Sequence, residues 1–534
     1  SPHSNPRDDT MMRLTRLFFF LLCLPATANA ELRLPAFFSD HMVLQQGKPL
    51  SVWGWADPGK QVELKFKGDS IQTETNAQGR WTATLPPQDA SSIGTELTIQ
   101  TVDKTIVITD VLVGEVWFAS GQSNMVFSMN RVPDYQSIIE SANEPSIRFF
   151  NASQVTAVKP QTDIEGKWQL TTPSSIGGFS AVAYFFAKKL HEELDLPIGI
   201  IKSAWGGKPV ETFTSRTALS TLSPTKRLVE AAVFADANFD PKRAKIAYEA
   251  RLAKWKIADE AWKKKSADTR GRRPRRPQLG KRPLETEGQP GVLFNAMINP
   301  FVGYTLQGAI WYQGEANAKP GAVPYDQTLP LLIKDWRHRW KDDFSFYFVQ
   351  LANFRQPSPE PGNNDPWPLL QDRMRRILET TAGTGMAVIN DVGEANDIHP
   401  KNKHDVGRRL ALWALAKDYN QKRVYSGPLF QEATIKNGSI EVRFNHTGKG
   451  LKARDHQPLQ RFEIAGKDGV WKWAKAEIIS PDTVSISSDE VDRPVAVRYA
   501  WAANPEGANL VNSEGLPTSV FRTDDWEDVS PNPR

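Results

Sequence analysis

Ser123, within Gly121-Gln122-Ser123-Asn124-Met125, is the hydroxyl best placed to act as a nucleophile. It lies just past a mostly apolar run at 111–118, in a Gly-containing turn that should enter a helix. That places it at the carboxyl edge of a sheet, where open α/β folds bind their ligands. Backbone N–H groups at a helix start also favour a developing oxyanion. The turn lacks the second glycine of a Gly-x-Ser-x-Gly elbow, which argues against an α/β-hydrolase. A serine needs a base. Of the eight histidines, His399 stands out, because it follows a further apolar run in Asp397-Ile398-His399-Pro400. Asp397, two residues away, could reach the imidazole Nδ1, fix its tautomer and stabilise the imidazolium. Asp391 and Glu394 in the same loop are rival carboxylates, and His404 reads as a surface residue at the start of a helix. Two more turns offer oxyanion donors. Trp205-Gly206-Gly207 would let backbone N–H groups approach a ligand, and Gln313-Gly314-Glu315-Ala316-Asn317 supplies a side-chain amide in Gln313 or Asn317.

Buried strands must position these turns. Short apolar runs recur at 111–118, 146–150, 198–204, 308–312, 344–351 and 385–391, with helical stretches such as 181–194 and 369–380 between several of them. Apolar strands alternating with helices predict a doubly wound parallel sheet, an α/β fold. Residues 31–109 read differently. Period-two runs such as Leu50-Ser51-Val52-Trp53 are punctuated by turn residues, which predicts an antiparallel β-sandwich. The β texture returns at 425–534, a second antiparallel module whose last residues are polar and loose. The core is then 110–424, interrupted at about 215–290 by an insertion. Residues 241–289 of that insertion carry 16 Lys/Arg against 6 Asp/Glu. Such a run can bind nucleic acid. The simpler reading is a solvated surface hairpin with a flexible basic tip, with anionic polysaccharide or a membrane surface next, so no nucleic-acid partner is expected.

The 534 residues carry a formal net charge of +5, with 24% charged and 40% hydrophobic residues. That composition belongs to a folded chain of roughly two to four domains, not to a disordered one. One cysteine, Cys23, allows no internal disulfide and no Cys-rich zinc site. Residues 1–30 read as a leader: polar residues, then Arg13 and Arg16, a short apolar run and the small-x-small site Ala28-Asn29-Ala30. This is the pattern of a secretory signal peptide and predicts a periplasmic or secreted enzyme. Cys23 lies inside that leader, so a thiol mechanism is not expected. The apolar run is too short to span a bilayer, and no membrane span is predicted.

Gly121-Gln122-Ser123-Asn124-Met125, Trp205-Gly206-Gly207, Trp311-Tyr312-Gln313-Gly314-Glu315 and Asp397-Ile398-His399-Pro400 together resemble the motif set of the sialate O-acetylesterase family. Phe38-Ser39-Asp40-His41 and Val52-Trp53-Gly54-Trp55 are similar to that family's N-terminal β module. The family belongs to the SGNH hydrolases, which use a flavodoxin-like sheet. The resemblance implies Ser123 as nucleophile, His399 as general base and Asp397 as orienting acid. It implies oxyanion donors from the backbone N–H of Ser123, from Gly206 or Gly207, and from Gln313 or Asn317. It also implies an acetylated carbohydrate (sialate or plant polysaccharide) as substrate, and neither a metal nor an organic cofactor. Other readings are a carbohydrate-binding protein on an inactive esterase core and an SGNH lipase or peptidase. Oligomeric state is not legible in the sequence.

Overall fold

The computed structural model describes residues 31–526. The predicted leader, with Cys23, lies outside the described residues. The core strands are β1 (Thr105–Gly121), β2 (Glu144–Asn151), β3 (Ile198–Ala204), β4 (Gly308–Tyr312), β5 (Ser345–Val349) and β6 (Thr384–Ala387). They pair in parallel in the order β6-β5-β4-β1-β3-β2. With β2 set aside, the order is 2-1-3-4-5, and the chain reverses direction across the sheet at β1. The carboxyl end of β1 is therefore the switch point, and Ser123 follows it by two residues.

Strand alternation decides which residues face which layer. Trp117, Ala119, Ile310 and Tyr312 point to one face, where they share a buried cluster with residues of α1 (Ala181–Leu194) and Lys403–Lys417. Phe118, Ala309 and Trp311 point to the other, against Tyr325–Trp340 and Pro366–Thr380. Both faces are covered, so nearly every strand position is apolar.

The N-terminal strands form two antiparallel arrangements. Leu50–Trp55 pairs with Arg80–Leu85, while Gln61–Phe66 pairs with Asp69–Glu74 and with Ser91–Gln100. The boundary expected between 109 and 110 falls inside β1. The first half of this 17-residue strand pairs with Ser91–Gln100, and its second half pairs with β3 and β4. The alternating pattern of 105–109 looks antiparallel because that half is, and the apolar run beyond it looks buried because that half is. A shared aromatic cluster closes the junction: Phe37 and Phe38 pack on Trp53 and on Tyr304, whose hydroxyl donates to the Val43 carbonyl at 2.7 Å.

Beyond Leu429 two four-stranded antiparallel sheets enclose a separate cluster that includes Val442, Ile464, Val484, Tyr499 and Phe521. The last core strand is shorter than predicted: β6 ends at Ala387, and 388–391 continues as a loop whose Asn390 donates to the Thr518 carbonyl at 3.0 Å. No helix among the described residues is long and apolar enough to cross a membrane.

Candidate active site

Three strand ends converge at the switch point. The Gln122 N–H donates to the Tyr312 carbonyl at 2.9 Å, tying the end of β1 to β4. The Trp205 N–H donates to the Gly121 carbonyl at 3.1 Å, tying it to the turn after β3. Gly121 holds φ +133°, and a Cβ there would lie 2.2 Å from the Tyr312 oxygen, so only glycine allows this approach. The chain then enters a single helical turn, Ser123–Val126, with Ser123 at its first position.

The loop after β6 returns to this point. His399 Nε2 lies 2.9 Å from Ser123 Oγ, across 276 residues of sequence. Oδ1 of Asp397 accepts from the backbone N–H of His399 at 2.9 Å and lies 3.2 Å from its Nδ1. One carboxylate oxygen thus fixes both the loop and the ring. The rival carboxylates are engaged elsewhere. Asp391 takes a two-pronged bond from Arg409 at 2.6 and 2.9 Å, with Arg454 at 3.3 Å. Glu394 accepts from Lys401, through its backbone N–H at 3.1 Å and its Nζ at 3.3 Å. His404 is exposed, its ring edge against Phe185. Partial burial holds the His399 imidazole below its usual pKa, with Asp397 pulling the other way. The His399 backbone N–H in turn holds the Asp397 carboxyl below its usual range. At neutral pH the ring is therefore uncharged beside an ionised carboxylate, the state a general base requires.

Of the predicted oxyanion donors, Gly206 approaches Ser123 closely: a Cβ there would sit 3.3 Å from Ser123 Cβ. Gly207 follows in the left-handed region at φ +69°, with open space where a side chain would be. The side-chain amides lie one layer behind. Gln313 is fully buried, and its Nε2 donates to Asn317 Oδ1 at 2.7 Å and reaches Gln122 Oε1 and the Lys208 carbonyl at 3.2 Å. Its Oε1 accepts from the Tyr325 hydroxyl at 2.6 Å. Its two N–H groups thus face three acceptors. In this arrangement the Gln313 amide also braces the Gln122 side chain. Asn317 Nδ2 is directed at both Glu211 oxygens, at 3.0 and 3.3 Å, and its Oδ1 takes the Val210 N–H at 3.0 Å.

Sequence reasoning assigned no role to the residues beneath Ser123. Lys403 is fully buried, and its Nζ donates to Asn124 Oδ1 at 2.5 Å while facing the rings of Phe127 and Tyr312. Asn124 Nδ2 donates to Glu315 Oε1 at 2.6 Å and to the Ile398 carbonyl at 3.1 Å. One amide therefore joins the serine turn, the loop after β4 and the peptide just before His399. Burial drives the Lys403 ammonium down to about 7 and the Glu315 carboxyl up. Among the described residues, Glu315 Oε2 and the Tyr312 hydroxyl find no hydrogen-bond partner. Within the Lys401-Asn402-Lys403-His404 run, Lys403 looks solvated, and nothing local marks it as buried.

No family model matches the chain. Over 519 residues it is 27% identical to a sialate O-acetylesterase from Mus musculus, covering 90% of this chain and 91% of that protein. The Rattus norvegicus sialate O-acetylesterase is 28% identical over 524 residues, with the same coverage. Among solved structures, a carbohydrate acetylesterase from Xanthomonas citri superposes with a TM-score of 0.77 at 33% identity, covering 93% of this chain and all of that one.

Proposed function

Because the chain belongs to the sialate O-acetylesterase family of carbohydrate acetylesterases, we propose that it hydrolyses acetyl esters on sugars through a serine acetyl-enzyme. The observation that carries this reading is the line Asp397–His399–Ser123, with an uncharged imidazole 2.9 Å from the hydroxyl. In the first step Ser123 Oγ attacks the acetyl carbonyl carbon while His399 Nε2 takes the hydroxyl proton. Asp397 holds Nδ1 protonated and stabilises the imidazolium. The tetrahedral oxyanion forms against the backbone N–H groups of Ser123 and Gly206, beside Gly207, whose turn brings Gly206 against the nucleophile. Gln313 and Asn317 are the side-chain candidates, each reached through a turn of its amide away from its present acceptors. Collapse expels the sugar alkoxide, which takes the proton from His399. Water then attacks the acetyl-serine, giving its proton to His399, and acetate leaves as Ser123 regains its own.

The sheet order at the switch point and the Gly-Gln-Ser turn support an SGNH-type site. The leader pattern supports action in the periplasm or outside the cell. Ser123→Ala tests the assignment. Acetate release from p-nitrophenyl acetate and from acetylated sugars should fall by at least about 10³-fold with folding unchanged. A wild-type rate in that variant would remove the serine mechanism.

A further inference from the structure

The insertion is an arm built from very little core. Its helix α2 (Pro241–Lys263) has 23 residues, about 34 Å of length. Asp259 is its one buried residue, while Ile246 and Ile257 are largely exposed. A return segment lies along it. The Trp255 indole N–H donates to the Pro274 carbonyl at 3.0 Å and that of Trp262 to Gly271 at 2.9 Å. Pro274 and Pro277 bias this segment toward extended backbone of polyproline type, in which residues three apart share a face. Arg273 and Arg276 follow that spacing and, with Arg270 just before the segment, lie against the two indoles: Arg270 and Arg273 at 5.0 and 5.5 Å from Trp262, Arg276 at 5.8 Å from Trp255. Arg272 and Arg275, also three apart, are exposed.

The charge on this arm is nearly one-signed. From 263 to 282 there are ten Lys/Arg and one Asp. Asp259 pairs with Lys263 and Arg273, and Asp236 pairs with Arg282. Among the described residues no carboxylate pairs with Arg272 or Arg275. Like charges this dense repel one another and add nothing to the fold. The base of the arm stands at the site: Lys208, directly after the Gly206-Gly207 turn, has its Nζ 3.4 Å from Glu287.

We infer that the arm is a docking surface for a carboxylate-bearing polysaccharide, the acetylated chain on which Ser123 acts. The planar guanidinium matches a carboxylate with two parallel hydrogen bonds, and a row of them at fixed spacing suits a polymer with repeating uronates. Single-stranded nucleic acid fits less well, since it needs free aromatic faces on which bases stack. Both arm indoles are hydrogen-bonded to the return segment and lie beside guanidiniums.

This inference rests on the esterase reading for its substrate, so the test separates the two. Arg272→Glu/Arg275→Glu changes two side chains without a carboxylate partner, so the arm should fold. Rates are compared on chemically acetylated polygalacturonate, acetylated glucomannan as a neutral polymer, and p-nitrophenyl acetate. At low salt KM on polygalacturonate should rise about tenfold in the variant, with kcat unchanged, while the other two substrates are unaffected. Moderate salt should erase the wild-type advantage. An equal KM change on the neutral polymer, no change on polygalacturonate, or retention of the arm by DNA alone would overturn the proposal. Failure of the wild type on p-nitrophenyl acetate would overturn the esterase reading instead. Retention of the wild type, but not the variant, in a gel cast with polygalacturonate would then still support the arm.

Discussion

Replacing Asp397 by asparagine should lower kcat/KM by about 20- to 80-fold, far less than removing His399. One oxygen of Asp397, Oδ1, meets both the His399 backbone N–H and Nδ1. In Asp397→Asn the backbone N–H selects the amide oxygen for that position, so the side-chain NH₂ is turned away from the ring. Nδ1 keeps an acceptor and the correct tautomer survives, and what disappears is the negative charge. At 3.2 Å, with Asp397 and His399 38% and 27% exposed, water screens the pair strongly. An effective dielectric constant of about 40–60 gives about 1.7–2.6 kcal/mol for the imidazolium that forms in the transition state, and each 1.36 kcal/mol is tenfold in rate. A buried triad in which asparagine forces the wrong tautomer loses roughly 10⁴-fold. Asp397→Ala should be worse than Asp397→Asn here, because it also frees the loop. Since the carboxylate raises the His399 pKa, its loss should move the acid limb of the kcat/KM profile to lower pH. The assay is acetate release from p-nitrophenyl acetate across pH 4–9, for Asp397→Asn, Asp397→Ala, Glu394→Gln and His399→Ala. Glu394→Gln should remain within about twofold of wild type. A loss in Asp397→Asn as large as in His399→Ala, or an acid limb moved upward, would refute the account.

Asn124→Ala should leave the buried Lys403 Nζ, Glu315 Oε1 and Ile398 carbonyl without the amide that joins them. Urea unfolding should show a loss of about 2–4 kcal/mol, and an unchanged midpoint would mean that the amide does not tie these elements together. Gly206→Ala should act in the opposite way. Its Cβ would press on Ser123 from 3.3 Å and shift it by a few tenths of an ångström, lowering kcat about tenfold with little change in the unfolding midpoint. Wild-type kcat in that variant would show that the turn has room to spare.

The sequence by itself determined the elements and the reacting types. Apolar runs between helical stretches are legible because a sheet covered on both faces leaves few positions for polar residues. Ser123 and His399, the proposed nucleophile and base, stand out because each follows such a run in a turn, and turns at carboxyl ends meet at the switch point. Local pattern could not choose among Asp391, Glu394 and Asp397. That choice depends on Arg409 and Lys401, which engage two of the three carboxylates through contacts made only when the loop folds back on its neighbours. Nor could it show what surrounds an amide: Gln313 stands in an open turn pattern in the sequence, and in the structure Tyr325, Asn317 and Gln122 surround it. The change of texture expected at 109 lies inside one strand, because a strand can change partners along its length without breaking. Lys403 shows the same limit most plainly. Burial is a property of what packs around a residue, and in a run of charged neighbours only the tertiary structure reveals which lysine is enclosed with Asn124, next to Ser123.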